Sequence, residues 1–269
     1  MSAWSSYLAI GDSFTEGLDD RLPDGYPRGW ADRVAEELAA GRSGFRYANL
    51  AVRGKLLNQI VADQIPVAEQ LRPELITFCA GGNDIIKPQC DPDALATRFD
   101  HALGRLTATG AEVVIFTGFD VRQVPVLRRL RGRIATYNEL LRASADNHGC
   151  RVVDLWSMTV LTDPRAWCLD RLHLTTEGHR RVALRVMEVL GVPVSDDWRA
   201  PWPQAVASPW AYRRQQDVIW ARQYLVPYLR KWVRGIPTGE GFLPKRPELA
   251  LWDAEPTPGP IGLTSRPAS

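Results

Sequence analysis

Asp170 and His173 are spaced for acid–base chemistry. They stand three residues apart in CLDRLHL, residues 168–174, so both side chains can meet on one face of a turn. A carboxylate on imidazole Nδ1 fixes the tautomer and stabilises the imidazolium that forms when the ring takes a proton. Such a base needs a hydroxyl within about 2.6–3.2 Å of its other nitrogen. The stretch YLAIGDSFTEG, residues 7–17, offers one: an apolar run ends abruptly in Gly11-Asp12-Ser13. Ser13 is the candidate nucleophile, and Asp12 would brace the turn. Taken alone, YLAIGDSFTEG reads as a turn and CLDRLHL as a surface turn with an incidental ion pair.

Attack of a serine on an ester creates an oxyanion, which requires donors aimed in advance at the developing charge. The backbone N–H of Ser13 is one donor if the strand turns there into a helix. Gly54, in NLAVRGK, can offer a backbone N–H with no side chain in the way, and Asn83, in GGND, a side-chain amide. Singly, Gly54 reads as a turn residue and Asn83 as a loop or cap residue. Asp84 would tie loops together. Arg53, beside Gly54, is placed where it could meet an anionic substrate. His101, His148 and His179 fall in predicted helices or at their ends and read as surface residues.

Five apolar runs, at 7–10, 45–50, 75–79, 113–117 and 152–156, would position these groups. Between them, 30–40, 58–71, 93–108 and 134–147 carry apolar residues near helical spacing. Strand–helix alternation predicts a parallel sheet with helices on both faces. Ligands bind outside the carboxyl ends of such strands. The polar punctuation after the first three runs would bring three loops to one rim. Loops 18–30, 85–93 and 119–132 would shape the pocket; Arg122, Arg128, Arg129, Arg131 and Arg133, in or beside the last, read as solvated surface.

After a helix at 175–190 the composition shifts. Six of the ten tryptophans fall in residues 198–252, and seven basic residues against one acid lie between Arg199 and Arg234. A long helix is expected over about 210–233, with Val218, Leu225, Leu229 and Trp232 on one face. It would pack back on the domain; a homodimer contact, a substrate lid and a surface lying on an anionic membrane are the other readings. The expected organisation is a domain over 1–192, a Trp/Arg-rich helical extension over 193–250 and a disordered tail over 251–269.

With 269 residues, 45% of them hydrophobic and 24% charged, the chain has the composition of a globular protein. A net charge of +2 gives no reason to expect nucleic acid as a partner. No run approaches the roughly 20 apolar residues that span a bilayer, and the N-terminus lacks the basic and apolar regions of a signal peptide, which predicts a cytoplasmic location. Cys79 and Cys150 read as buried thiols. Cys90 and Cys168 lie in predicted loops, where a disulfide is the less favoured reading in a reducing compartment. No cysteine or histidine spacing predicts a metal, and no phosphate-binding glycine loop predicts a nucleotide. There is no G-x-S-x-G elbow to hold a serine.

The set of motifs resembles the SGNH hydrolases, also called GDSL esterases and lipases. GDSFTEG (11–17), the glycine of NLAVRG (49–54), GGND (81–84) and DRLH (170–173) stand in that family's order. The resemblance covers about residues 5–190. It implies Ser13 as nucleophile, His173 as base and Asp170 as its orienting acid. It also implies Ser13, Gly54 and Asn83 as the oxyanion hole, and a flavodoxin-like three-layer α/β/α sandwich on a five-stranded parallel sheet. Leu174 departs from the proline that often follows the histidine. The implied reaction is cleavage of a carboxylic ester through an acyl-serine, with no cofactor. Acyl transfer to an alcohol, thioester cleavage by the same site and a silent ligand-binding relative remain alternatives.

Overall fold

The side chains of the first strand decide the architecture. In β1 (Ser6–Gly11) every residue is buried, with Tyr7 and Ala9 in one hydrophobic core and Leu8 and Ile10 in another. A strand apolar on both sides has to lie inside a sheet covered on both faces. The computed structural model describes residues 4–124, 127–204, 210–226 and 241–253. In it, β1 pairs in parallel with β2 (Arg46–Asn49) on one side and β3 (Leu75–Cys79) on the other. β4 (Glu112–Phe116) and β5 (Arg151–Val153) continue outward from β3, also in parallel. The order β5-β4-β3-β1-β2 is the flavodoxin-like one, and the β1/β3 boundary is the switch point where ligands bind.

The helices divide by face. After the single turn α1 (Ser13–Glu16), α2 (Gly29–Ala39) covers the Tyr7/Ala9 side. The other side takes α3 (Leu57–Asp63), α4 (Ile65–Leu71) and, after the short α5 (Gly82–Ile85), α6 (Pro92–Thr107) and α7 (Arg131–His148). The apolar stripe of α8 (Thr176–Leu190), including Val182, Val186, Met187 and Leu190, packs beside α2. Most of the expected segments are present. The fifth strand is shorter than expected, because the chain leaves the sheet after Val153.

The C-terminal region corrects the expectation of an all-helical extension. α9 (Trp210–Trp220) is followed by a turn of π-helix through Leu225, and Val226 is the last described residue of that segment. Leu229 and Trp232 of the expected apolar face lie outside the described residues, as do 254–269. A sixth strand, β6 (Arg246–Leu251), pairs antiparallel with β2 and forms the edge of the sheet. Its Pro247 is tolerated because one side of an edge strand needs no ladder donor. Trp252, assigned to the tail, donates its backbone N–H to Phe45 O at 2.9 Å and packs 5.7 Å from Tyr47.

One further expectation changes. His179 is buried rather than on the surface: Nδ1 accepts the Trp30 N–H at 3.2 Å, and Nε2 faces the Leu18 carbonyl at 3.2 Å. Burial holds its pKa down at about 4, so α8 is joined to α2 by a neutral imidazole. All four cysteines are free thiols, which removes a Cys90–Cys168 bond. Among the described residues no helix is long and apolar enough to cross a membrane.

The extension is anchored by a buried charge. Lys245 Nζ lies 2.9 Å from Asp32 Oδ2 and donates to the carbonyls of Pro27 and Arg28 at 2.7 and 2.9 Å. Asp32 also accepts the Tyr47 hydroxyl at 2.7 Å. Removing one partner strands the other charge, so Lys245→Met is expected to lower stability by about 3 kcal/mol. The double variant Asp32→Asn with Lys245→Met should recover much of the loss; urea unfolding of the three proteins measures both effects.

Candidate active site

The site begins where β1 runs out. A Cβ on Gly11 would lie 2.5 Å from Thr15 Oγ1 and 2.6 Å from the Cys79 carbonyl, so only glycine lets the turn fold this tightly against β3. Gln64, between α3 and α4, accepts the Gly11 N–H and donates to the Gly11 carbonyl, each at 2.9 Å. Asp12 then caps α1, its Oδ1 accepting the Phe14 N–H at 3.1 Å, and half-buried Ser13 opens the helix.

Asn83, from the loop after β3, joins three segments. Its Nδ2 donates to Asp12 Oδ2 and to the Lys55 carbonyl, both at 3.1 Å. The GDS turn, the loop after β2 and the GGND turn are therefore held to one rim by a single amide. Asp84 completes the tie by accepting the Leu57 N–H at 2.9 Å. Burial raises the Asp12 pKa to about 6, against the Phe14 hydrogen bond and the charge of His173, which lower it. The carboxylate is ionised at neutral pH and able to accept from Asn83.

Two residues that sequence reasoning missed shape the second loop. Buried Asn49 accepts the Ala51 N–H at 3.0 Å and donates to the Thr15 carbonyl at 3.0 Å. Glu16, also buried, accepts the Arg53 backbone N–H at 2.7 Å and pairs with the Arg53 guanidinium. Gly54 follows in the left-handed region, φ 73°. Arg53 is thus engaged with Glu16, and its guanidinium stacks 4.6 Å from the Phe242 ring. Glu16 lies inside the GDSFTEG motif, but only the fold shows that its partner is Arg53.

Asp170 and His173 lie on the loop before α8. Asp170 Oδ1 accepts the backbone N–H groups of Leu172 and His173 at 3.0 and 3.1 Å, and Oδ2 faces His173 Nδ1 at 2.5 Å. Sequence reasoning missed a second carboxylate: Asp19 Oδ2 lies 3.5 Å from the same nitrogen. Burial alone would lower the His173 pKa; the hydrogen bonds and charges of Asp170 and Asp19 outweigh it and raise the value to about 9. For Asp170 burial works upward, and the contact with His173 holds its pKa below the usual carboxylate value.

Asp19, Asp170 and His173 have ligand atoms within 4.8 Å of one another, close enough to be considered for a metal ion. The 2.5 Å contact to Asp170 instead uses Nδ1 as a hydrogen-bond donor, which leaves that nitrogen no lone pair for a cation. The arginine-dense segment has specific partners. Arg131 and Arg122 pair with Asp120 at 2.7 and 3.7 Å, and Arg133 binds the carbonyls of Ile85, Lys87 and Pro88. Arg128 and Arg129 are exposed, as expected of solvated surface.

Glu16→Ala tests the loop bracing. It removes a buried acceptor from the Arg53 N–H and its guanidinium, so stability should fall by about 2 kcal/mol. Amide hydrogen exchange should accelerate at Arg53 while Gly11, held by Gln64, keeps its protection.

Residues 9–181 match the GDSL-like lipase/acylhydrolase family. Comparison with curated proteins gives no match. Among solved structures, the chain is similar to LAE5, an alpha/beta hydrolase from the metagenome of Lake Arreo, Spain. That likeness has 21% identity, covers 71% of this chain and 97% of that one, and has a TM-score of 0.60. A catalytic mutant of Axe2, an acetylxylan esterase from Geobacillus stearothermophilus, is 19% identical over 73% of this chain and 96% of its own, with a TM-score of 0.58. A lipolytic G-D-S-L family member from Veillonella parvula is 22% identical over 68% and 97%, with a TM-score of 0.56. At these identities the structures establish a shared fold; the family match spans well over half the chain and includes every motif quoted above. The chain belongs to the GDSL-like lipase/acylhydrolase family, whose members hydrolyse ester bonds.

Proposed function

We propose that this chain is a serine esterase that cleaves carboxylic esters through an acyl-Ser13 intermediate. The observation that carries the reading is the 2.5 Å contact between Asp170 and His173 Nδ1. It leaves Nε2 as the basic nitrogen, on a loop whose charge is felt by Asp12, the residue before Ser13. His173 Nε2 takes the Ser13 hydroxyl proton while Oγ bonds to the ester carbonyl carbon. Asp170 keeps the imidazole in one tautomer and stabilises the imidazolium. The backbone N–H groups of Ser13 and Gly54 and the Asn83 amide serve as donors to the oxyanion. Collapse expels the alcohol, which carries away the proton from His173. Water, deprotonated by the same imidazole, then releases the acid and frees Ser13.

Asn83 Nδ2 has two hydrogens and two protein acceptors, Asp12 and the Lys55 carbonyl. An arriving oxyanion would draw the hydrogen now given to the neutral Lys55 carbonyl, because a charged acceptor forms the stronger bond. The acetylxylan esterase among the structural neighbours supports adding acetylated sugars to the substrates tried.

The direct test is hydrolysis of p-nitrophenyl esters from acetate to palmitate, and of an acetylated xylooligosaccharide, by wild type and Ser13→Ala. Loss of the nucleophile should lower kcat by roughly four orders of magnitude or more; retained ester cleavage rejects the mechanism. The pH profile is a second test. A ring with a pKa of about 9 is mostly protonated at pH 7 and cannot act as a base. The kcat/KM value should therefore rise with pH through about 9. Asp19→Asn removes a negative charge that favours the imidazolium, so its midpoint should move to lower pH and its relative activity at pH 7 should increase.

A further inference from the structure

The loop that carries Asp170 and His173 is gripped from outside the family domain. The family match ends at residue 181, whereas α9 spans Trp210–Trp220. From α9, Trp220 Nε1 donates to the Asp170 carbonyl at 2.7 Å. Asp217, one turn earlier on the same helix face, holds Arg171 with a 2.7 Å contact between Oδ1 and Nη1. The Arg171 guanidinium also stacks 5.0 Å from the Trp220 ring centroid. Trp220 is 7% exposed, whereas its neighbours Val218 and Ile219 are 53% and 37% exposed. The helix therefore meets this loop through the Asp217/Trp220 side.

The loop needs such support. Arg171 has φ 57°, the left-handed region that a side chain with a Cβ adopts only under constraint. It stands between the two residues whose side chains meet at 2.5 Å, so its backbone conformation sets the direction of both. Inside the loop, Arg171 N–H donates to the Cys168 carbonyl at 2.9 Å and Cys168 N–H to the His173 carbonyl at 2.8 Å. These bonds close the turn but attach it to nothing else. The Trp220 and Asp217 contacts attach it to a helix.

We infer that α9 braces the catalytic loop, with Trp220 and Asp217 as positioning residues that hold Asp170 and His173 in register with Ser13. The inference rests on the esterase reading above and assigns part of the enzyme's competence to the extension beyond the family domain. The opposite rim is held in the same way, since Phe242 of the extension stacks on Arg53 beside Gly54.

Trp220→Phe removes the indole N–H while keeping a ring, and Asp217→Asn removes the charge that holds Arg171. The charged groups facing His173 are Asp170 on its own loop, Asp19 from the loop after α1 and Asp12 at the β1 turn, and neither substitution alters their charge. In full-length protein, Trp220→Phe should lower kcat on p-nitrophenyl acetate about 10- to 100-fold, as expected when a reacting group is displaced by about 1 Å. KM should change less than kcat. The His173 titration, read by NMR without substrate, should move toward the ordinary histidine value as the Asp170 contact loosens. Asp217→Asn should shift both in the same direction by less, and Val218→Ala, exposed on the same helix, should shift neither. Wild-type kcat and a wild-type His173 midpoint in both brace variants overturn the inference. So does a fall in kcat that tracks loss of folded protein in the thermal melt with no change in the midpoint. Ester cleavage that survives Ser13→Ala rejects the nucleophile instead, and that failure is distinct because the His173 midpoint is measured without turnover.

Discussion

The close approach at Gly11 is the constraint on which the site depends. Strands β1 and β3 run in register to the pair Gly11 and Cys79, and the chain must reverse there into α1 while passing the Cys79 carbonyl. Any Cβ at Gly11 would sit inside contact distance of that carbonyl and of Thr15. With the hydrogen atom in its place, Gln64 can bind both backbone groups of Gly11, so neither is left unpaired. Ser13 is thereby presented at the switch point of the sheet by backbone geometry. Asp12 is turned inward to receive Asn83.

The electrostatics follow from what is buried around that turn. Asp12, Glu16, Asp20 and Asp32 are all acids with little exposure, and each has a specific donor or cation. Glu16 takes Arg53, Asp20 takes Arg33 at 2.9 Å, and Asp32 takes Lys245. Carboxylates buried in this number would repel one another if left unpaired. Paired, they act as fixed struts between loops. The same logic governs His173: two carboxylates on one nitrogen favour its charged form.

The C-terminal extension belongs to the same network. It contributes the edge strand that covers β2, the lysine that neutralises Asp32 beneath the start of α2, and two aromatic rings, Phe242 and Trp220, that stack on arginines of the rim loops. Tryptophan suits this work because one ring buries a large apolar area while its N–H reaches a carbonyl. Trp167 donates to Leu161 and Trp202 to Val160 in the same manner. Arg165, Arg181 and Arg199 stack on Trp202 or Trp198.

The parallel sheet and the family motifs were legible in the sequence because their signals are local. Fully apolar runs such as those of β1 and β3 can only be central strands, and Asp170 meets His173 across a single turn whose spacing is visible in the chain. β6 was hidden because an edge strand is defined by what it pairs with, and its partner β2 lies far away in the chain. His179 looked like a surface residue on a polar helix, yet it is buried because Trp30 and Leu18 present one donor and one acceptor to its two nitrogens. Asp19, Glu16, Trp220 and Asp217 carry no motif of their own, and each matters only through a residue distant in sequence or a neighbouring loop. Sequence by itself determined which residues could react and which strands carry them, since both depend on near neighbours and periodicity. Tertiary structure alone decided which charges meet, because contacts between loops depend on strand order and helix packing rather than on spacing along the chain.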